Sequence, residues 1–146
     1  MAYVYLNDME GGLKNLKAAL DIRLKIYGKD NLNTAISYNN VGLVYKKLRE
    51  VDKALENYKK VEEIWEKNYN KNHPRLATIY NNIGMLYIDI RNLKVGISYL
   101  EKALIIRQKF YGDNHMETLE SYANIELAYK YLGKIDKATK YKKYLK

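Results

Sequence analysis

The chain has no cysteine among its 146 residues, so it contains neither a disulfide framework nor a thiolate metal site. It has one proline, Pro74, and little β-branched alternation, which argues against a β-rich fold. No stretch approaches the ~18 apolar residues that a membrane-spanning helix needs, and the N-terminus lacks the pattern of a signal peptide. These absences predict a cytoplasmic protein without a membrane span.

The residues that are present indicate a folded helical protein. Hydrophobic residues make up 47% of the chain and charged residues 29%, which is the balance of a globular domain. Ala, Leu, Lys, Glu and Ile fill long stretches with a helical period. The length suits one unit, so we predict a single all-α domain over residues 1–146.

The dominant pattern is an internal repeat of 42 residues. "YNNVGLVY" at 38–45 and "YNNIGMLY" at 80–87 differ only by exchanges among Val, Ile, Leu and Met. A third copy begins near Tyr122, and residues 3–27 match only the second part of the unit. Fixed periods of this length are typical of stacked helical hairpins, because each hairpin buries its open face against the next. The array therefore contains about three and a half repeats.

Each repeat carries two helical stripes. Tyr38, Val41 and Tyr45 share one face of a first helix, called A, and Ala54, Tyr58 and Val61 share one face of a second helix, called B. Small residues, such as Gly42, are expected where the helix axes approach closely. The predicted helices lie near residues 9–27, 33–48, 51–69, 75–90, 93–111, 117–132 and 135–145.

These residues carry a family resemblance. "GLVYKKLREVDKALENYKKVEEI" resembles a tetratricopeptide repeat, matching its Gly, Tyr, Ala and aromatic positions at Gly42, Tyr45, Ala54 and Tyr58. "ALIIRQKFYGDNH" at 103–115 and the 42-residue period are similar to kinesin light chain repeats. The resemblance implies a right-handed α-solenoid of antiparallel hairpins and a scaffold that binds protein or peptide partners. Its repeats would span 1–32, in part, then 33–74, 75–116 and 117–146.

No candidate for catalysis is found. The only histidines, His73 and His115, stand 42 apart, with no cysteine and no carboxylate at metal-ligand spacing beside them. We interpret both as turn residues before an A helix and Trp65 as a packing residue. The sequence therefore predicts a non-enzymatic protein with no catalytic residue, metal site or cofactor.

A second stripe of the A helices is not needed for packing and is the candidate site. In tetratricopeptide arrays this face lines a concave groove, where an asparagine amide can pair with an extended peptide backbone. Asn40, Asn82 and Asn124 recur there, although asparagine is also common at this position in repeats without a known ligand. The predicted peptide-binding groove consists of Asn39, Asn40, Leu43, Lys46, Lys47, Asn81, Asn82, Met85, Asn124, Leu127, Lys130 and Tyr131.

The sequence argues against one class of ligand, the C-terminal carboxylate of heat-shock chaperones. Tetratricopeptide domains that clamp the C-terminal carboxylate of heat-shock chaperones use Lys, Asn, Asn, Lys and Arg on three A helices. Four of the five matching positions here differ from that set, and Glu120 would repel a carboxylate. The matching positions are Asn39, Leu43, Asn82, Glu120 and Asn124.

The net charge of +9 is concentrated at the C-terminus. Residues 130–146 carry seven lysines against Asp136 alone, and Lys142 stands where other B helices have Leu16, Tyr58 and Leu100. We favour a solvated end of the array, as solenoid termini require. The alternative is charge-driven binding of nucleic acid or an acidic membrane, which no base-reading motif accompanies.

The incomplete first repeat predicts association. The B helix at 9–27 lacks a full partner, which leaves Leu13, Leu16 and Leu20 incompletely covered. We expect either self-association through this repeat or ordering of residues 1–8 as a helical turn over it. The half repeat also fits a further alternative, in which the chain is a structural fragment of a longer array.

Overall fold

The computed structural model describes the backbone of residues 2–145 and the side chains of residues 8–145. Within this range the chain forms seven α-helices and a short 3-10 helix, with no strand, so the all-α prediction is confirmed. The helices are α1 (Ala2–Tyr27), α2 (Leu32–Lys47), α3 (Val51–Asn68), α4 (Pro74–Asp89), α5 (Leu93–Tyr111), α6 (Met116–Tyr131) and α7 (Ile135–Lys142), and the 3-10 helix spans Lys143–Leu145.

The A helices, α2, α4 and α6, begin at residues spaced by one period. The Asn31 side chain accepts a hydrogen bond from the Asn33 amide at 2.8 Å, and His73 Nδ1 accepts one from the Arg75 amide at 3.2 Å. His115 precedes α6, where its Nδ1 lies 2.5 Å from Glu117 Oε2. Both imidazoles therefore sit at helix starts, which confirms their interpretation as turn residues.

The turns within the three hairpins also follow the period. Arg49, Arg91 and Gly133 have φ values of 60°, 63° and 73°. This left-handed residue lets the next amide return to the end of the A helix, as in the bond from the Glu50 amide to the Tyr45 carbonyl at 3.0 Å. The same bond joins Asn92 to Tyr87 and Lys134 to Tyr129 at 2.9 Å.

The predicted start of the first helix at residue 9 is wrong. Residue 7, one period before Arg49, stays helical, and α1 runs unbroken from Ala2. A left-handed turn costs about 1–2 kcal/mol per residue, which the hairpin packing offsets elsewhere. The expected ordering of residues 1–8 over Leu13, Leu16 and Leu20 rests on side chains 1–7, which lie outside the described range.

The first compact unit, residues 1–68, contains α1, α2 and α3, with α2 packed against both others. Val41 on α2 and Ala54, Tyr58 and Val61 on α3 are at most 2% exposed. A Cβ on Gly42 would lie 2.8 Å from the Tyr58 ring, so the absence of a side chain at Gly42 lets α2 and α3 approach. This confirms the packing interpretation of Gly42.

The second compact unit, residues 69–146, contains α4 to α7. Its core is formed by α4, α5, α6 and α7, and includes Ile88, Leu100, Ile125 and Ala138. The members of this core are Ile88, Ile97, Leu100, Leu104, Tyr122, Ile125, Ala128, Tyr129 and Ala138. The core therefore joins A-type and B-type helices throughout this unit.

In each unit an arginine links a B-type helix to the A helix that follows it. Arg23 Nη1 donates to Ser37 Oγ at 2.7 Å, and Arg107 Nη1, two periods later, donates to Ser121 Oγ at 2.8 Å. Arg107 is 4% exposed. In the intervening period the sequence has Trp65 and Ile79 at these two positions, and both are buried. At this point in the array, two apolar residues therefore stand where the other repeats have an arginine and a serine.

Tyrosines hold the C-terminal segment in place. Tyr144 of the 3-10 helix stacks on Tyr122 with ring centroids 4.1 Å apart, and Tyr141 stacks on Tyr129 at 5.8 Å. Tyr129 Oη donates to Glu101 Oε1 at 2.8 Å. Burial, and then this hydrogen bond, raise the pKa of Tyr129 above its usual range. The terminal helix is thereby anchored by aromatic contacts while its lysines face solvent.

Gly96→Ala tests the close approach of α4 and α5. Its new Cβ would lie 2.5 Å from Ile88 Cδ1 and 2.9 Å from the Gly84 carbonyl oxygen. We expect the free energy of unfolding to fall by about 1–3 kcal/mol in urea titrations, although alanine favours helix. Gly11→Ala is the control, because its Cβ meets nothing within 4 Å, and it should stabilise the chain by up to ~1 kcal/mol. Equal effects of the two substitutions would contradict the packing role.

Tyr58→Phe tests a buried hydroxyl that has no hydrogen-bond partner among the described residues. Burial raises the pKa of Tyr58 to about 12. The unfolded phenol ionises near pH 10, so stability contributed by the neutral form is present below pH ~10 and is lost between pH ~10 and ~12. Tyr58→Phe should be neutral or stabilising by about 1 kcal/mol at pH 7, and relatively more stabilising at pH 11. Tyr27→Phe, at an exposed ring, is the control for removal of a phenol hydroxyl and should change stability at pH 7 by no more than about 0.5 kcal/mol.

Candidate peptide-binding face

The predicted binding residues lie on the A helices, and their exposure differs between the two units. On α2, in the first unit, Asn40 and Lys47 are exposed and Leu43 is 42% exposed, while Asn39 and Lys46 are half-buried. Ile36 on the same stripe is 38% exposed. The stripe on α2 therefore presents apolar and amide groups side by side to solvent.

In the second unit, α4 and α6 are in contact and carry the remaining residues. Asn82 and Met85 on α4 are half-buried, and Leu127 and Tyr131 on α6 are 37% and 50% exposed. Lys130 is exposed as well. We call these residues, together with Asn124, the α4–α6 face.

A hydrogen bond between two asparagines joins the helices of this face. Asn124 Nδ2 donates to Asn81 Oδ1 at 3.0 Å, and Asn81 is only 6% exposed. Asn81 therefore lies in the interior and acts on the face through Asn124, which it orients. One N–H of Asn124 is used in this bond, so its capacity toward a ligand is the second N–H and the carbonyl oxygen.

The charges on the face are partly compensated. Glu126 stands one period after Gly84, and its Oε1 lies 2.7 Å from Lys130 Nζ. Glu120 Oε2 accepts from Arg107 Nη1 at 3.0 Å. Lys130, the one lysine of the α4–α6 face, is paired with Glu126, so the face holds no unpaired lysine that would select a ligand carboxylate.

The structure adds one contact that the sequence analysis did not identify. Arg91, the left-handed residue after α4, places its guanidinium carbon 4.9 Å from the centroid of the Tyr131 ring. A cation over an aromatic face is attracted by the ring quadrupole. The only sequence signal was the recurrence of an arginine at Arg49 and Arg91, where a turn would favour glycine.

The alternative surface, at the C-terminus, is open to solvent. On α7 only Ala138 is buried. Lys142, which stands where other B helices have an apolar residue, is exposed, so its charge stays in contact with solvent. Lys137 Nζ lies 5.4 Å from the Tyr129 ring centroid and Lys143 Nζ 4.8 Å from that of Tyr144. Lys146 lies outside the described residues.

The described part of the chain has neither a metal-binding cluster nor a membrane-spanning helix. Among the residues described, no group of three or more His, Asp or Glu side chains is arranged to hold a metal ion. No helix within residues 2–145 is both long and apolar enough to cross a bilayer.

Asn124→Ala tests whether the asparagine pair supports the fold. Removing the Asn124 side-chain donor leaves the buried side-chain oxygen of Asn81, Oδ1, without this hydrogen bond. We therefore expect the free energy of unfolding to fall by about 1–3 kcal/mol. Asn40→Ala, at an exposed site on α2, is the control and should change stability by no more than about 0.5 kcal/mol. Equal stability of both variants in denaturant titrations would show that the Asn81–Asn124 bond contributes nothing.

Comparison with known proteins identifies the repeat. The tetratricopeptide repeat family model matches residues 1–67, 38–94 and 76–143. The crystal structure of BtubC (BKLC) from P. vanneervenii is similar with a TM-score of 0.85 and 23% identity, over 97% of this chain and 58% of that chain. The chain thus spans less than two thirds of the length of BtubC. No curated protein sequence matches the chain.

Two further solved structures show the same architecture. The Podosopora anserina "kinesin light chain nearly identical TPR-like repeats" have a TM-score of 0.79 and 19% identity, over 99% of this chain and 68% of that chain. The N-terminal domain of stress-induced protein-1 from C. elegans has a TM-score of 0.60 and 18% identity, over 75% of this chain and 79% of that chain. At these identities the likeness establishes the fold, which is the predicted α-solenoid of helical hairpins.

Proposed function

Because the chain belongs to the tetratricopeptide repeat family, whose repeats are generally scaffolds for protein–protein interaction, we propose that it binds an extended peptide segment on the exposed faces of its A helices. Binding would be non-enzymatic and would require no cofactor. The observation that carries the proposal is the exposure of Leu127 and Tyr131 on α6, 37% and 50%, next to the amide of Asn124. Contiguous exposed apolar side chains are typical of recognition sites, and Leu127 and Tyr131 are neighbours on one face of α6 because they stand four residues apart.

The α4–α6 face offers two kinds of contact to a peptide. Asn82 and Asn124 provide amide groups that can donate to and accept from a peptide backbone. Met85 and Leu127 provide apolar surface for alternate ligand side chains, and methionine adapts to different shapes. An extended chain rises about 3.3 Å per residue and packed helices lie about 8–10 Å apart, so neighbouring A helices would meet the ligand at every third residue.

The stripe on α2 carries the same residue types. Asn40 and Leu43 are exposed there and stand one period before Asn82 and Met85. We propose that each unit presents one such face. Lys46 and Lys47 add positive charge on α2, which favours ligands with acidic residues near that face.

The charges support an internal segment as ligand, and not a free C-terminus. Glu120 and Glu126 already pair with Arg107 and Lys130, and no lysine on the α4–α6 face stands without such a partner. A terminal carboxylate would meet these acidic groups with no compensating clamp. This agrees with the departure of the sequence from the chaperone-binding pattern.

Peptides selected from a random phage-displayed library on the purified chain provide the test. Met85→Glu and Leu127→Glu should each weaken binding of the selected peptides at least ~tenfold, which is about 1.4 kcal/mol, because a carboxylate would replace apolar contact surface. Affinity is measured by titration calorimetry with synthetic peptides. Ile105→Glu is the matched control, since Ile105 is 62% exposed on a B helix outside the face, and it should leave affinity unchanged.

A second variant separates this proposal from binding through the C-terminal lysines. Lys140→Glu with Lys142→Glu should leave peptide affinity within about threefold, a change below ~1 kcal/mol. If this variant abolished peptide binding while Leu127→Glu did not, the α4–α6 face would be the wrong site. Steep weakening with added salt would then point to an anionic partner of the C-terminal segment.

A further inference from the structure

The B-type helices share a row of exposed positions, which we call the outer stripe. On α5 it consists of Val95, Ser98, Lys102, Ile105 and Lys109, at intervals of three and four residues, so these side chains share one helix face. All five are exposed, as are the described residues at the same repeat positions on α1, α3 and α7. The stripe is equally open on α3 and α5, each of which is preceded and followed by other helices. Its exposure is therefore a property of the repeat.

The outer stripe of α5 lacks the acidic residues that the first unit has at the same positions. Lys67 and Glu63 on the stripe of α3 are paired, with Nζ and Oε1 3.0 Å apart. The position of Ile105 on α5 is held by Glu63 on α3 and by Asp21 on α1. The complete stripe of α3 is Lys53, Glu56, Lys60, Glu63 and Lys67. Its charges alternate in sign, whereas all charges on the stripe of α5 are positive.

The helix α7 extends the positive charge in the second unit. Tyr141 Oη donates to Glu101 Oε1 at 3.4 Å, so α7 adjoins α5. The outer stripe of α7 contains Lys137 and Lys140, and both are exposed. Equivalent positions of adjoining repeats project from the same side of a solenoid. We call Lys102, Ile105, Lys109, Lys137 and Lys140 together the outer basic face.

The lysines of this face keep their charge available to a partner. Within residues 8–145, none of the four forms an ion pair. Lys102 Nζ lies 5.1 Å from the Tyr99 ring centroid, a contact that positions the ammonium group without neutralising it. Glu101 is half-buried and accepts hydrogen bonds from two tyrosines, so Asp136 is the one exposed carboxylate of α5 and α7.

We propose that the outer basic face binds the surface of an anionic lipid bilayer. A lysine near such a surface is attracted by the acidic headgroups and contributes about fivefold to the binding constant. Ile105 is 62% exposed and stands three residues after Lys102 and four before Lys109, so it lies between their charges. With both lysines at the headgroups, Ile105 enters the boundary between headgroups and acyl chains, where its apolar surface leaves water.

The composition of the face favours a bilayer over a nucleic acid. Faces that bind nucleic acids combine cations for the phosphates with side chains that read base edges or stack on bases, such as Arg, Asn, Gln and aromatic residues. The outer basic face contains none of these residue types. A nucleic acid would also set the exposed Ile105 against charged phosphates, which offer it no apolar contact.

The composition also favours a bilayer over an acidic protein. Protein interfaces centre on several buried apolar residues and are enriched in arginine, whereas lysine is depleted there. On the outer basic face a single isoleucine stands among lysines. A fluid bilayer adapts to one protruding apolar side chain, and its headgroups supply negative charge on every side of it.

The membrane contact goes beyond the peptide-binding proposal and uses different helices. The outer basic face lies on α5 and α7, and the α4–α6 face lies on α4 and α6. Ile105→Glu should therefore weaken vesicle binding and leave peptide affinity unchanged, while Leu127→Glu should do the opposite. A failure of one proposal leaves the other standing, because the two affinities are measured separately.

Vesicle flotation at about 0.1 M salt tests the proposal. The chain should bind vesicles of phosphatidylcholine with about one third phosphatidylserine, and should not bind vesicles of phosphatidylcholine alone. Lys102→Glu with Lys140→Glu should weaken this binding at least ~twentyfold, since two attractive charges become repulsive. Lys14→Glu with Lys60→Glu is the matched control, because it makes the same change in net charge at the same stripe positions of the first unit.

The control variant should bind like the parent, and circular dichroism checks that both variants are helical. Equal losses in the two double variants would show that net charge alone is responsible and would overturn the outer basic face as the site. A parent chain that binds neither kind of vesicle would overturn the proposal as well. Binding to duplex DNA at the same salt concentration, without binding to vesicles, would assign the face to nucleic acid instead.

The position of Ile105 in the bilayer is tested by fluorescence. Ile105→Trp should bind the anionic vesicles at least as well as the parent, and brominated acyl chains should quench its emission. The parent is the control, because its single tryptophan, Trp65, is 5% exposed and should not be quenched. An Ile105→Trp variant that binds vesicles without additional quenching would overturn the entry of this residue into the bilayer.

Discussion

Close approach of the two helices in each hairpin is the constraint on which the rest of the structure depends. Between α4 and α5, a Cβ on Gly84 would lie 3.0 Å from the Gly96 carbonyl oxygen, so neither position admits a larger side chain without a shift. This approach brings the apolar stripes into contact, and Leu100 and Ile125 are fully buried as a result. The opposite stripe of the A helices is partly exposed, with Leu43 at 42% and Leu127 at 37%, although Met85 also packs against the core of the second unit.

The sequence predicted the helical architecture because the relevant forces are periodic. A 42-residue spacing of Gly42, Gly84, His73 and His115 shows where helices approach and where they begin, and the structure bears this out. The long α1 was not predicted, since repeat alignment assigns a turn to residue 7 by analogy with Arg49. A left-handed turn residue costs about 1–2 kcal/mol, which tertiary packing has to offset, and a repeat alignment carries no information about that packing.

The candidate face was predicted less completely for a related reason. A stripe pattern places Asn81 and Asn124 on a helix surface, but it does not show that Asn81 is buried and accepts a hydrogen bond from Asn124. Nor does it reveal that Arg91 reaches the Tyr131 ring from a turn. Both contacts join residues about 40 positions apart, in separate helices. Asn124 thus uses one N–H in a contact of the fold, and only its second N–H and its side-chain oxygen are left for the proposed ligand.

The arginine–serine pair of one repeat is replaced by Trp65 and Ile79 in the next, and this difference affects which helices pair with each other during folding. If all repeats were identical, a helix could pair with the wrong neighbour almost as well as with its own, a failure known in repeat proteins. Arg23 donates to the Ser37 hydroxyl, but one period further on the equivalent position is Ile79, which offers no hydroxyl acceptor, so a slipped pairing would lose this hydrogen bond. A slip by one repeat is thus penalised, and a slip by two, to Ser121, requires closing a much longer loop. Because the buried pairs differ from one repeat to the next, each helix packs more favourably against its native neighbour than against the equivalent helix of another repeat.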